Sequence, residues 1–335
     1  MPLKNSVKIN MSKLYPLTFD PIYKEKIWGG NKINTVLEKD FGNIDNCGES
    51  WELSGVEGDE SVVSNGDLKG QSLPELINTF KGKLVGESVF ERFGNEFPLL
   101  IKFLDAQQDL SIQVHPDDLL AKEKHNGFGK TEMWYILDAD EGSHVISGFN
   151  TELTKKEFSE KINSGNLESV LNYEKAAPGD VFFIPAGRIH TTGKGLLLAE
   201  VQQTSDTTYR VYDFDRIDKK GNKRDLHIED ALEALDFKVQ ESYRTEYENS
   251  DEVNLVTCPY FSTSRIRVSD NLVRDYSNND SFVILMNVGT QITLKVDGAD
   301  YNISKGQTFL IPAVFDTVEL TGAEGELLEI TVNHG

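Results

Sequence analysis

The chain has 335 residues, with 34 Lys+Arg against 55 Asp+Glu and a formal net charge of −21. A field of that sign repels phosphodiester backbones and anionic membrane surfaces, so neither nucleic acid nor a membrane is an expected partner; a small anion still binds where two or three cations converge. With 38% apolar and 27% charged residues, the composition is that of a globular protein long enough for two domains.

The first eleven residues are polar and predicted to fray, with no charged-then-apolar leader, and no apolar run approaches the ~18 residues that span a bilayer. Cys47 and Cys258 make neither a disulfide framework nor a C-x-x-C pair. The expectation is a soluble, cytoplasmic chain.

Strands are predicted, in chain order, at 61–63, 97–103, 110–114, 133–137, 181–184, 196–201, 282–288, 291–296, 308–311 and 326–332. These are short runs of Val, Ile, Phe and Leu between Gly, Asn and Asp turns, the pattern of a β-sandwich or barrel. Among them lie four helical segments. Ser72 and Glu75 form a capping box that opens the first, over about 72–93. Asp117 caps a helix that Asn126-Gly127 stops, Thr154 and Glu157 repeat the capping box before a stop at Gly165, and a last helix runs over 228–235. The polar, acidic stretch 243–252 reads as a linker.

One unit occurs twice. Gly179-x5-Pro185-Ala186-Gly187-x2-His190 has its counterpart in Gly306-x5-Pro312-Ala313-Val314-x2-Thr317, with threonine where the first copy has histidine. A potential ligand in one copy and none in the other implies one working site and one structural duplicate.

The first half supplies the rest of that site. In an extended strand alternate residues share a face, so Ser111, Gln113 and His115 point together while Ile112 and Val114 pack into the opposite layer. Lys130 and Glu132 share a face at the mouth of the next strand. Two imidazoles (His115, His190), a carboxylate (Glu132) and an amide oxygen (Gln113) suit Zn²⁺, with Mn²⁺, Fe²⁺ or Co²⁺ also accommodated, and the lack of thiols favours a catalytic over a structural site. A lone histidine on such a strand is ordinarily a hydrogen-bonded structural residue; the combination favours metal. His125, His144, His227 and His334 read as exposed or capping residues. Gly127-Phe128-Gly129-Lys130-Thr131 imitates the end of a P-loop, but Lys124 replaces its first glycine and a β-like run follows, so no nucleotide site is expected. Arg210, in a polar segment, could meet a phosphate or a developing oxyanion, or form a surface pair with Asp213.

These motifs together resemble the type I phosphomannose isomerases, zinc enzymes of the cupin superfamily, in their shorter bacterial branch. The resemblance covers nearly the whole chain: Lys26-Ile27-Trp28-Gly29-Gly30, Gly48 to Glu52, Gln113 to Asp118, Lys130 to Trp134, Pro185 to His190, and Ser205-Asp206-x3-Arg210. It implies a mainly β fold of two cupin (jelly-roll-like β-barrel) domains with a small helical insert. Residues 1–242 would be the catalytic cupin, with helical segments at about 72–93 and 151–175, and 250–335 a degenerate cupin without ligands. It further implies one Zn²⁺ per chain held by His115, Glu132 and His190 with Gln113 as fourth ligand, Arg210 as the active-site arginine, and Ser111, Lys130 and Glu200 lining the substrate pocket. Asp206 falls within the last motif, and Trp28 and Trp51 are candidate walls. Thr131 departs from the family's commoner proline, and Lys194 from the asparagine of many cupins.

The implied reaction interconverts mannose 6-phosphate and fructose 6-phosphate through a cis-enediol(ate), with the general base open between Glu200, Lys130 and a water. The implied partner is a small sugar phosphate, and the chain a monomer or homodimer. Alternatives on the same scaffold are a glucose-6-phosphate isomerase, a metal-dependent dioxygenase, or a non-catalytic sugar-binding double cupin, the last of which would keep the repeat and lose the polar pocket.

Overall fold

The computed structural model describes residues 13–333; the polar start and His334 lie outside them. Four antiparallel sheets carry the fold. The first has six strands in the order Ile22–Gly30, Cys47–Leu53, Leu99–Ala106, Leu196–Gln203, Glu132–Ala139 and Val181–Ile184. The second runs Tyr209–Tyr212, Ile112–Val114, His190–Thr192, His144–Phe149 and Leu171–Lys175. The third, of five strands, contains Glu252–Thr257, Phe261–Val268, Gly325–Val332, Val283–Asn287 and Thr308–Ile311, and the fourth Asn271–Asp275, Thr317–Thr321, Ile292–Val296 and Ala299–Ile303.

The six-stranded sheet is covered on both faces, and the alternation of its side chains shows how. Along Leu196–Gln203, Leu196 and Leu198 join Trp28, Trp134, Phe182 and Val145 in an interior cluster shared with the second sheet. Leu197, Ala199 and Val201 point the other way, into a larger cluster that includes Phe261, Ile284, Leu310 and Ile330 of the C-terminal sheets. Glu200 and Gln202, in phase with Leu196, therefore face the interior of the first unit. A third cluster packs the outer face of the second sheet against the helices Lys155–Asn163 and Ile228–Ala234.

Both capping boxes form, Ser72 with Glu75 and Thr154 with Glu157. The predicted segment 72–93 is not one helix but three, Leu73–Phe80, Gly82–Val85 and Glu87–Phe93, interrupted at Lys81 and Gly86. Gly86 has φ +96°, and a Cβ there would lie 2.2 Å from the Asp280 carbonyl oxygen, so chain reversal and close approach both require glycine. The Asp280 carboxylate then accepts from the Glu87 and Ser88 amides at 2.8 and 2.9 Å, capping the third helix from the other half of the chain.

Other expectations need correction. The insert over 151–175 ends in a strand, Leu171–Lys175, whose burial alternates along an edge position rather than following a helical period. Residues 62 and 63 make only isolated bridges, to Ser72 and Phe19. The stretch read as a linker is packed: the buried Tyr243 donates to the Phe149 carbonyl at 2.8 Å, and Arg244 pairs with Asp180 at 3.2 Å. The N-terminal segment also crosses between the halves, with Leu17 bridging to Leu310. The two repeat copies occupy corresponding sheet edges, Val181–Ile184 beside Glu132–Ala139 and Thr308–Ile311 beside Val283–Asn287. Among the described residues, no helix is long and apolar enough to cross a membrane.

Candidate active site

Register brings the predicted ligands together. Gln113 pairs with His190 on one side and with Arg210 on the other, while Glu132 lies opposite Gln202 in the facing sheet. His115 follows the short strand Ile112–Val114 and is 1% exposed; Glu132 and His190 are fully buried. One ligand atom from each lies within 4.8 Å of the others, with His115 Nε2 at 3.5 Å and His190 Nε2 at 3.3 Å from the Glu132 carboxylate. Among the described residues this is the sole such cluster.

The hydrogen bonding fixes what these atoms offer. His115 Nδ1 lies 3.0 Å from the Thr207 carbonyl and His190 Nδ1 2.8 Å from that of Arg188, so each Nδ1 carries the proton and each Nε2 presents a lone pair. Neither Nε2 can then donate to Glu132, and His115 Nε2 and both Glu132 oxygens lack hydrogen-bond partners. Buried unsatisfied polar atoms cost about 1–3 kcal/mol each. Burial depresses both imidazoles, His190 to about 3, and so keeps them neutral; burial pushes Glu132 upward while Lys130, 3.3 Å away, pulls it back. Two neutral imidazole nitrogens and a carboxylate this close together fit a divalent cation with an open coordination position. Gln113 reaches the same point, its amide 3.3 Å from His190 Nε2.

Gln113 and Lys130, which contact the triad, border a cavity of about 240 Å³ whose lining does not include the triad itself. Of the predicted residues, Ser111, Gln113, Lys130, Glu200, Asp206, Arg210 and Trp28 line it. Trp51 does not: it is 1% exposed behind the wall, its indole donating to Glu49 at 2.6 Å, with Lys24 and Lys102 against its ring. Thr131, in place of proline, uses the N–H proline lacks to donate to Gln203 Oε1 at 2.9 Å.

Sequence reasoning missed Lys102, Thr208 and Arg224, which also line the cavity, and gave no site role to Lys26 and Glu49, which lie in two of the motifs and line it too. Lys102 is the most consequential. Its ammonium lies 3.0 Å from Glu200 and donates to Gln202 Oε1 at 2.8 Å. Burial alone would strip its proton, but Glu200 and then Glu49 hold it charged. Burial likewise opposes ionisation of Glu200, yet Lys102 and Lys130 keep its pKa below the ordinary carboxylate value. Glu49 is held at about 2, against burial, by Lys102, Lys26 and the Trp51 indole. The signal was a lone lysine in Leu99–Ala106, a strand buried at every position.

Arg210 is not paired with Asp213. Its Nη1 donates to the Asp225 carbonyl at 2.7 Å and its backbone N–H to His227 Nδ1 at 3.1 Å, which gives His227 more than the capping or exposed role expected of it. Asp213 instead takes Arg216 and Arg224. His125 bonds the Tyr209 hydroxyl at 2.8 Å, and His144 packs on Tyr173. In the second half, Thr317, the counterpart of His190, is exposed.

Residues 17–163 match the family described as phosphomannose isomerase type I, catalytic domain, and 251–332 the mannose-6-phosphate isomerase cupin domain. The mannose-6-phosphate isomerase ManA of Bacillus subtilis is 36% identical over 315 residues, covering 92% of this chain and 96% of its own. That of Streptococcus mutans is 35% identical over 329 residues, covering 95% and 98%. The crystal structure of the mannose 6-phosphate isomerase from Bacillus subtilis superposes with a TM-score of 0.84 at 34% identity, over 94% of this chain and 99% of that one. With identity of this level along almost its whole length, and with the cupin fold of those relatives, the chain belongs to the type I phosphomannose isomerase family.

Proposed function

We propose that the chain interconverts mannose 6-phosphate and fructose 6-phosphate with one Zn²⁺ held by His115, Glu132, His190 and Gln113. The observation that carries the metal reading is the buried triad, in which one ligand atom of each residue lies within 4.8 Å of the others and His115 Nε2 and both Glu132 oxygens have no hydrogen-bond partner. A cation bound there supplies Lewis acidity toward the sugar's O1 and O2. Aldose–ketose exchange removes the C2 proton, leaves a cis-enediol(ate), and returns a proton to C1. Glu200, kept ionised by Lys102, is equipped to accept and return that proton. Lys130 offsets the enediolate charge and Arg210 meets the phosphate, while Ser111 and Asp206 orient hydroxyls and Trp28 shields the ring. Residues 1–242 form the catalytic unit in this reading and 250–335 its metal-free support, in a cytoplasmic monomer or homodimer.

A coupled assay of fructose 6-phosphate formation from mannose 6-phosphate tests this, on protein as purified, after chelation and after zinc is restored. Turnover that vanishes and returns with zinc is expected. A folded, zinc-replete sample without turnover would overturn the isomerase reading.

A further inference from the structure

Positive charge is uneven within the cavity. Each lysine that lines it has its own carboxylate: Lys26 with Glu49 at 3.0 Å, Lys102 with Glu200 at 3.0 Å and Lys130 with Glu132 at 3.3 Å. Asp206 adds its charge to the surroundings of Lys102. Arg210 and Arg224, which line it, and Arg216, which does not, neighbour the single buried carboxylate of Asp213, and the Asp225 side chain belongs to an exposed residue.

The donors there are only partly used. Arg216 is consumed by Asp213 and the Asp109 carbonyl. Arg224 spends Nε and Nη2 on the two Asp213 oxygens, at 2.8 and 2.5 Å, and its Nη1 has no hydrogen bond among the described residues. Arg210 has one bond from Nη1, and its buried Nε has none. Arg210 and Arg224 both line the cavity beside the Thr208 residue. A rigid fork with free N–H groups matches a phosphomonoester, which carries about two charges and three strong acceptor oxygens.

The loop that carries Arg224 is tied down before any ligand arrives. It leaves the strand Tyr209–Tyr212 and returns where the His227 N–H donates to the Arg210 carbonyl at 2.8 Å. Lys219 in the same loop pairs at the surface with Glu25 of the first sheet's edge strand at 2.8 Å and with Asp45 at 3.1 Å. Preorganisation of this kind spares a ligand the cost of ordering the loop.

We propose that Arg224, held in its fork by Asp213, recognises the phosphate of the substrate together with Arg210, and so sets the preference for phosphorylated over free sugar. This rests on the sugar-phosphate reading above. Phosphate takes no part in bond making, so the effect belongs in binding and in kcat/KM for the phosphorylated sugar.

The test compares wild type, Arg224→Gln and Arg224→Lys on mannose 6-phosphate and on free mannose, with inorganic phosphate as competitive inhibitor and as titrant in calorimetry. Losing charge-assisted bonds to phosphate predicts a fall of about ten- to a hundredfold in the ratio of kcat/KM for the two sugars, and a weakening of inorganic phosphate of similar size. Arg224→Lys, which keeps the charge and loses the fork, should fall between, and its melting curve guards against misfolding. Asp213→Asn should weaken phosphate in the same direction by less. An unchanged ratio with unchanged phosphate affinity, or equal losses on both sugars, overturns the proposal. Wild type that turns over neither sugar overturns the isomerase reading alone, because the phosphate titration still decides the role of Arg224.

Discussion

Replacing Lys102 by methionine keeps most of the side-chain volume and removes its charge. Lys102 is 3% exposed, with Glu200 at 3.0 Å and Gln202 at 2.8 Å, and its charge is the largest favourable influence on the ionised form of Glu49. The substitution therefore leaves two buried carboxylates short of a counter-charge rather than deleting a self-contained pair. Breaking a buried pair from one side costs about 3–5 kcal/mol. At about 2 °C per kcal/mol for a chain of this size, the melting temperature should fall by about 6–10 °C. Glu200→Gln in the Lys102→Met background should recover part of that loss, and a double-mutant cycle read by calorimetry or denaturant titration gives the coupling directly. Turnover should fall in parallel, because Glu200 becomes harder to ionise. A melting shift under 2 °C, or a coupling under about 0.5 kcal/mol, would refute the view that Lys102 holds the carboxylates of this cavity charged.

His115→Ala and His190→Ala should each abolish stoichiometric metal in elemental analysis after dialysis, whereas Arg224→Gln should retain it; retention in both histidine variants would remove the triad from consideration. Glu49 supplies one part of the acid dependence of stability. Its folded pKa, about 2, lies below the ordinary 4.5, so its contribution is present above pH 4.5 and is lost as pH falls toward 2. Between pH 5 and 2.5 that amounts to about 2 kcal/mol, and Glu49→Gln should flatten the unfolding free energy by this much over the range. A variant with the slope of wild type would show that Glu49 is not the group responsible.

The strands legible in the sequence are those whose polarity follows burial, such as Val181–Ile184 and Thr308–Ile311, where the predicted and observed limits coincide. Cys47–Leu53 and Ile22–Gly30 were missed because function breaks their pattern: Glu49, Glu52, Lys24 and Lys26 sit in strands, and no alternation of apolar and polar residues survives. The triad was readable because its ligands lie at strand-face spacings that survive folding. Arg224 was not, since nothing local tells a loop arginine in Lys223-Arg224-Asp225 that Asp213, eleven residues earlier, will turn it toward a cavity.

The apolar cluster on the outer face of the six-stranded sheet has no seam between the halves of the chain. Phe97 packs against Phe282 with ring centroids 4.8 Å apart, Tyr135 bonds Glu326 at 2.8 Å, and Asp280 caps a helix of the first half. The six-stranded sheet thus has the C-terminal cupin barrel as its foundation, and the genetics of the protein follow. Substitutions in that barrel's core will act on how much enzyme a cell contains, through folding and turnover of the chain, while the molecules that do fold keep an ordinary KM. On the proposed metal reading, alleles damaged near residue 310 and alleles damaged at residue 190 would lower activity by opposite routes: too few good enzymes, or enough bad ones.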